Sequence, residues 1–258
     1  MPTEPRPIRV LFLHGLESRA NGSKARMLRE QGFDVVAEEM HMGLFQLGRR
    51  NSALRQLPRL GESRVVGALA LGLLVAAPSA PAIALGAALA VGWGVARRRA
   101  LFAKALGRSF DACVEIQRRA VRAVRPDVVV GSSWGGAIAA RLVIEGAWSG
   151  PTILLAPAVA KVERRMGRGD GSGVAELLRA RAADVRIVIF HDPSDDTVPF
   201  EDSVLLAQGG AIELRSVSAG GEPEGRTRWA RPSAPFLLEA RAIATVAATS
   251  SREASLAT

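Results

Sequence analysis

The sequence predicts a doubly wound α/β domain, and three observations carry that expectation. Short apolar runs alternate with longer amphipathic stretches along the chain. Each short run is apolar at consecutive positions, as in strands buried on both faces of a parallel sheet. One run leads into Gly131-Ser132-Ser133-Trp134-Gly135, a glycine-flanked turn that opens a helical pattern. Alternating strands and helices imply parallel pairing, because each return to a parallel sheet needs a crossover.

Strands are expected at 8–13, 33–37, 127–130, 152–155, 185–190 and 212–217, and helices at 23–30, 98–124, 134–145, 174–182, 201–207 and 234–248. The stretch 98–124 has Phe102, Leu106, Phe110, Cys113 and Val114 on one stripe, which is expected to lie against the sheet. The glycine-rich stretch 167–173 reads as a loop and 249–258 as a small polar tail. A chain of 258 residues that is 48% hydrophobic is read as one domain, 1–258, with an insertion at 65–96.

Composition narrows the function classes. A single cysteine, Cys113, excludes an internal disulfide framework and a cysteine metal site, and no cofactor motif is present. Cys113 itself is expected to be a buried small apolar residue. The net charge of +9 invites a nucleic-acid reading, but 31 of the 34 basic residues are arginines scattered along the chain, with no recognition motif. Nucleic acid is therefore not an expected partner. The opening residues have no apolar core of their own and are not read as a signal peptide.

The turn at 131–135 carries the chemistry. A serine exposed at the C-terminal edge of a sheet needs a turn so tight that glycines must flank it, and the apolar strand before and helix after supply the context. The plain alternative is a glycine-rich turn in which Ser133 caps the following helix.

These residues, with Leu11-Phe12-Leu13-His14-Gly15-Leu16, the continuation from Ser18 to Ser23-Lys24-Ala25-Arg26, and His191-Asp192-Pro193-Ser194-Asp195-Asp196-Thr197-Val198-Pro199, resemble the α/β-hydrolase superfamily. They are most similar to its small bacterial esterase-like members of the YqiA type. The resemblance implies an α/β-hydrolase sheet and a carboxylic-ester hydrolase, with Ser133 as nucleophile, Asp195 as acid and Asp196 as the near alternative. It also implies an oxyanion hole from the backbone N–H groups of Trp134 and Leu16. The substrate would be a small-molecule or lipid-like ester. His14 is expected to pack or hydrogen-bond in its loop. Asp192 stands where the family has glycine, a place where aspartate tolerates left-handed geometry better than most residues.

One member of the family's triad is missing. A serine hydroxyl is a poor nucleophile until a base takes its proton, and the fold places a histidine on the loop after the last strand. No histidine follows His191, and Pro223 occupies the expected position. Three readings remain: a non-catalytic hydrolase; Glu222 or Glu224 as base, against an ordinary carboxyl pKa of ~4.3; or His191 or His14 approaching Ser133 from an unusual direction. Whether the chain is an enzyme stays open at this point, between a serine hydrolase and a pseudo-hydrolase that binds a ligand.

The insertion is uncharged throughout 65–96 and broken at Pro78-Ser79-Ala80-Pro81. It has no polar stripe, so a membrane-inserted hairpin is expected. Arginines on both flanks, with both ends feeding one sheet, would hold the hydrolase domain on the cytoplasmic side. The alternative is an apolar cap on a cytoplasmic, non-membrane protein.

Overall fold

The computed structural model describes residues 6–16, 18–41 and 80–217. Six parallel strands form one sheet in the order β2-β1-β3-β4-β5-β6. They are β1 (Arg9–Leu13), β2 (Asp34–Val36), β3 (Val128–Ser132), β4 (Thr152–Leu155), β5 (Ile187–His191) and β6 (Glu213–Ser216). The helices are α1 (Ser23–Glu30), α2 (Ala80–Val124), α3 (Trp134–Ile144), α4 (Val159–Met166), α5 (Ser172–Arg181) and α6 (Phe200–Ala207).

Two-sided burial follows from the strand pattern. Alternate residues point to opposite faces. Leu11, Leu13, Val129, Leu154 and Ile189 enter one core with Phe110, Cys113 and Val114 of α2, Ile138 and Leu142 of α3, and Val162 of α4. Val10, Phe12, Val128, Val130, Ile153 and Phe190 enter the other, with Ala25 and Leu28 of α1. Helices on both faces make the sheet doubly wound, as expected.

The strand order locates the site. The chain runs from β1 outward to β2, then returns past β1 to β3 and continues the opposite way. That reversal separates the loops after β1 and β3 to opposite faces, and the crevice it opens at the strands' C-terminal ends is where such sheets bind ligands. Register fixes the two loops together, since Leu11 pairs with Val129 and Leu13 with Gly131.

Several expectations are corrected. The helix expected at 98–124 begins at Ala80 and runs unbroken for 45 residues, so it takes in the second part of the 65–96 insertion. Phe102, placed on the core stripe, is 55% exposed, whereas Leu106, Phe110, Cys113 and Val114 of the same stripe pack into the core. The transmembrane hairpin at 65–96 is not supported: residues 65–79 lie outside the described residues, and among those described no helix is long and apolar enough to cross a membrane. A short helix, α4, was not expected at all. Within the stretch read as a loop, Gly167 ends α4 at φ 68° and Ser172 already begins α5. The helix expected at 234–248 and the tail at 249–258 lie outside the described residues.

Candidate active site

At the end of β3 the backbone turns abruptly into α3, and Ser133 sits at the turn with φ 52° and ψ −111°. A non-glycine residue there is strained, at a cost of about 1–3 kcal/mol, and persists only where its surroundings over-determine it. They do so here. The Ser133 N–H donates to the Leu155 carbonyl at 2.9 Å, and its own carbonyl accepts from Ala137 and Ala158, each at 3.1 Å. A Cβ at Gly135 would lie 2.1 Å from the Leu13 carbonyl oxygen, and one at Gly131 would lie 2.6 Å from that of Gly135. The turn therefore closes only with glycine at both places.

Although Ser133 occupies the N-cap of α3, its side chain makes no capping hydrogen bond. The hydroxyl is thus turned away from the role that a serine most often plays at a helix start. It faces a cavity of about 500 Å³ lined by Phe12, Leu16, Lys24, Ser132, Ala156 and Asp195 among others.

Leu16 lines this cavity from the loop after β1, and Trp134 follows Ser133 as the first residue of its helix, α3. Among the described residues neither backbone N–H is taken by a backbone carbonyl. The Trp134 ring packs edge-on against Phe110 with centroids 5.3 Å apart, which ties the start of α3 to α2.

Asp195 reaches the cavity from the loop between β5 and α6, and its side chain is 2% exposed. Oδ1 accepts from the N–H groups of Thr197 at 2.8 Å and Val198 at 3.1 Å. Burial opposes ionisation, but the His191 ring and these two donors outweigh it and hold the carboxyl below the usual carboxylate range. Asp196 is exposed and binds only its neighbour Thr197 among the hydrogen bonds of this turn. Asp192 is buried and accepts from the Ser194 N–H and hydroxyl, and it is not among the residues with positive φ, so the left-handed geometry expected there does not occur.

The two histidines named as alternative bases are both fully buried. His14 Nε2 accepts from the Met40 N–H at 3.2 Å, so its proton sits on Nδ1, which donates to the Gly15 carbonyl at 2.9 Å. His191 Nε2 donates to the Val198 carbonyl at 3.1 Å and Nδ1 accepts from the Ser203 hydroxyl at 2.6 Å. Its Nε2 also lies 3.6 Å from Asp195 Oδ2. All four ring nitrogens are therefore engaged, and neither ring lines the cavity. Pro223, Glu222 and Glu224 lie outside the described residues.

Sequence reasoning attached no role to Lys24. From the first turn of α1 its Nζ donates to Ser132 Oγ at 2.8 Å, inside the same cavity. Burial pushes the amine down to about 8, against the pull of the Asp195 carboxylate, which favours the charged form. One signal pointed here: lysine is used at three positions in a chain with 31 arginines, and only lysine can lose its proton. Elsewhere, burial pushes the Cys113 thiol up to about 12, as befits an inert core residue.

The sheet order, the elbow and the loops around it have the architecture of the α/β-hydrolase fold. No family model matches the chain, and no curated protein does. Solved structures do. A protein described as a hydrolase of the alpha/beta superfamily, from Xanthomonas campestris pv. campestris, is 18% identical over 93% of this chain and 97% of its own, with a TM-score of 0.47. Esterase 2 of the planctomycete Thermogutta terrifontis is 16% identical in its native form, over 86% of this chain and 73% of its own, with a TM-score of 0.35.

Proposed function

We propose that the chain is a serine hydrolase acting on small carboxylic esters, with Ser133 as nucleophile, Asp195 as the buried acid, and the Trp134 and Leu16 N–H groups as oxyanion donors. The observation that carries this reading is Ser133 itself: a strained serine, fixed by glycine contacts, uncapped, and open to a cavity. Backbone strain of this kind concentrates where chemistry requires it. Phe12, Leu16, Ala156 and Val198 give the cavity apolar walls suited to an acyl chain, lipid-like esters included.

Attack of Ser133 Oγ on the ester carbonyl would place the oxyanion between the two N–H groups, and loss of the alcohol would leave an acyl-enzyme for water to cleave. Labelling by a fluorophosphonate probe tests this directly, because the probe reacts with an activated serine and releases fluoride. The expected result is stoichiometric phosphonylation of the purified chain, lost on Ser133→Ala. A chain that stays unlabelled between pH 6 and 10 overturns the enzyme reading.

The second reading, a non-catalytic pseudo-hydrolase that binds a ligand in this pocket, draws on the engagement of all ring nitrogens of His14 and His191. It predicts no labelling, together with saturable binding of a non-hydrolysable ester analogue that Ser133→Ala leaves intact.

A further inference from the structure

The absence of a histidine after β6 leaves the serine without its usual proton acceptor, and one other group in the cavity has the chemistry to serve. Lysine and histidine are the side chains that both lose a proton reversibly near neutral pH when suitably placed and take it up again as a cation. Both histidines beside the site are committed to neighbours that hold them in a single tautomer. The Lys24 amine, once neutral, carries a lone pair that can take up a proton, and it gives that proton back as readily.

Resting on the hydrolase reading above, we propose that Lys24 is the proton acceptor for Ser133, with the Ser132 hydroxyl as the bridge between them. Lys24, Ser132 and Ser133 line the same cavity, and Lys24 Nζ lies 2.8 Å from Ser132 Oγ. Ser132 ends β3 and is 3% exposed, so its hydroxyl has little access to water and is aimed by the strand rather than by solvent. Lys24 enters from α1, the helix that follows β1 in the chain. Among the described residues Lys24 and Asp195 are the two ionisable groups that line the cavity, Asp195 from the β5–α6 loop and Lys24 from α1. Asp195 then has a second use beside the family's one: it stabilises the lysine cation that forms during attack.

The step balances without any further reactant. As the bond from Ser133 Oγ to the carbonyl carbon forms, the Ser133 proton passes to Ser132 Oγ while the Ser132 proton passes to neutral Lys24 Nζ. The ammonium so formed returns a proton by the same path to the departing alkoxide, which leaves as the alcohol. In the second half, water gives its proton to Lys24 as it attacks the acyl carbon, and the Ser133 oxygen recovers a proton when the acid is released.

The proposal sets the pH profile. With the amine at about 8, a minor fraction is neutral at pH 7. The rate should rise nearly tenfold per unit below that point and level off above it, whereas a histidine base would level off about a unit or more lower.

The experiment is the rate of fluorophosphonate labelling of the full chain between pH 6 and 10, for the wild type, Lys24→Met, Lys24→Arg and Ser133→Ala. Melting temperatures of the same samples read folding. The expected result is a wild-type midpoint near pH 8 and a loss of about 100-fold in both lysine variants. Lys24→Arg is the decisive comparison: it keeps the positive charge beside Asp195 and a donor for Ser132, but cannot deprotonate. Labelling of folded Lys24→Arg within twofold of wild type, or a wild-type rate already level by pH 7, overturns the proposal. Should both variants unfold, the wild-type midpoint decides alone. No labelling of the wild type at any pH overturns the hydrolase reading instead, whereas full labelling with an indifferent Lys24 overturns only this inference.

Discussion

The turn after β3 and the turn after β5 deliver the two implied triad residues to one cavity by different physical means. The first is held by exclusion. Its glycines leave no room for a Cβ, the neighbouring strands supply the walls, and Ser133 is driven into a conformation that it would not adopt by itself. The second is held by donors. Asp195 is aimed by two backbone N–H groups and a nearby imidazole, and His191 is aimed in turn by Ser203 from α6. Exclusion is insensitive to pH and intolerant of volume, whereas donors tolerate volume but depend on protonation.

That contrast can be broken from either side. The largest effect is expected at Gly135→Ala, where a methyl group would meet the Leu13 carbonyl at 2.1 Å. Backbone on both sides cannot yield, so the cost should exceed about 3 kcal/mol in urea denaturation, and a fully stable variant would show that the elbow is loosely packed after all.

Asp195→Asn should act on activity more than on stability. Its amide cannot offset a cation beside the serine, and a fall of about 100-fold in ester turnover is expected, measured against an unchanged fold by circular dichroism. The same variant tests pH dependence. Because the folded carboxyl is held below its unfolded value, its stabilisation is present above the unfolded pKa and is lost as pH falls through the folded one. The wild type should therefore lose more stability than Asp195→Asn between roughly pH 5 and pH 3. Equal losses would place the aspartate's donors outside the energetics of the fold.

Ser203→Ala is the mildest of the three. It removes the hydroxyl that donates to His191 Nδ1 in a fully buried setting and should cost about 1–2 kcal/mol in melting or denaturant midpoints. Activity should fall only as far as Asp195 drifts, which separates the aiming of the acid from the acid itself.

Much of the sheet was legible because two-sided burial demands consecutive apolar residues, a pattern that few other structures produce. The strand at 152–155 lies where the pattern puts it, and the rest differ from the expected limits by one or two residues. The elbow was legible for a related reason, since glycine at two fixed places is a steric requirement written into the sequence. Helix α4 was not: eight residues after a proline give barely two turns, too few for a period to stand out. Phe102 misled because a helical stripe gives only a direction around the helix axis, and periodicity does not show where along the helix a partner lies. Lys24 escaped because the proximity of its amine to Ser132 joins positions 108 apart in the chain. Lysine on a first helical turn reads as a solvated charge until the loop around it is known.

The conformation of Ser133 has a consequence for mutational drift. A residue held at φ 52° and ψ −111° is one where glycine would relax the backbone, so Ser133→Gly should leave the chain at least as stable as before. Selection for folding alone would then favour discarding the hydroxyl, so the stability of the chain gives no reason for serine at this position.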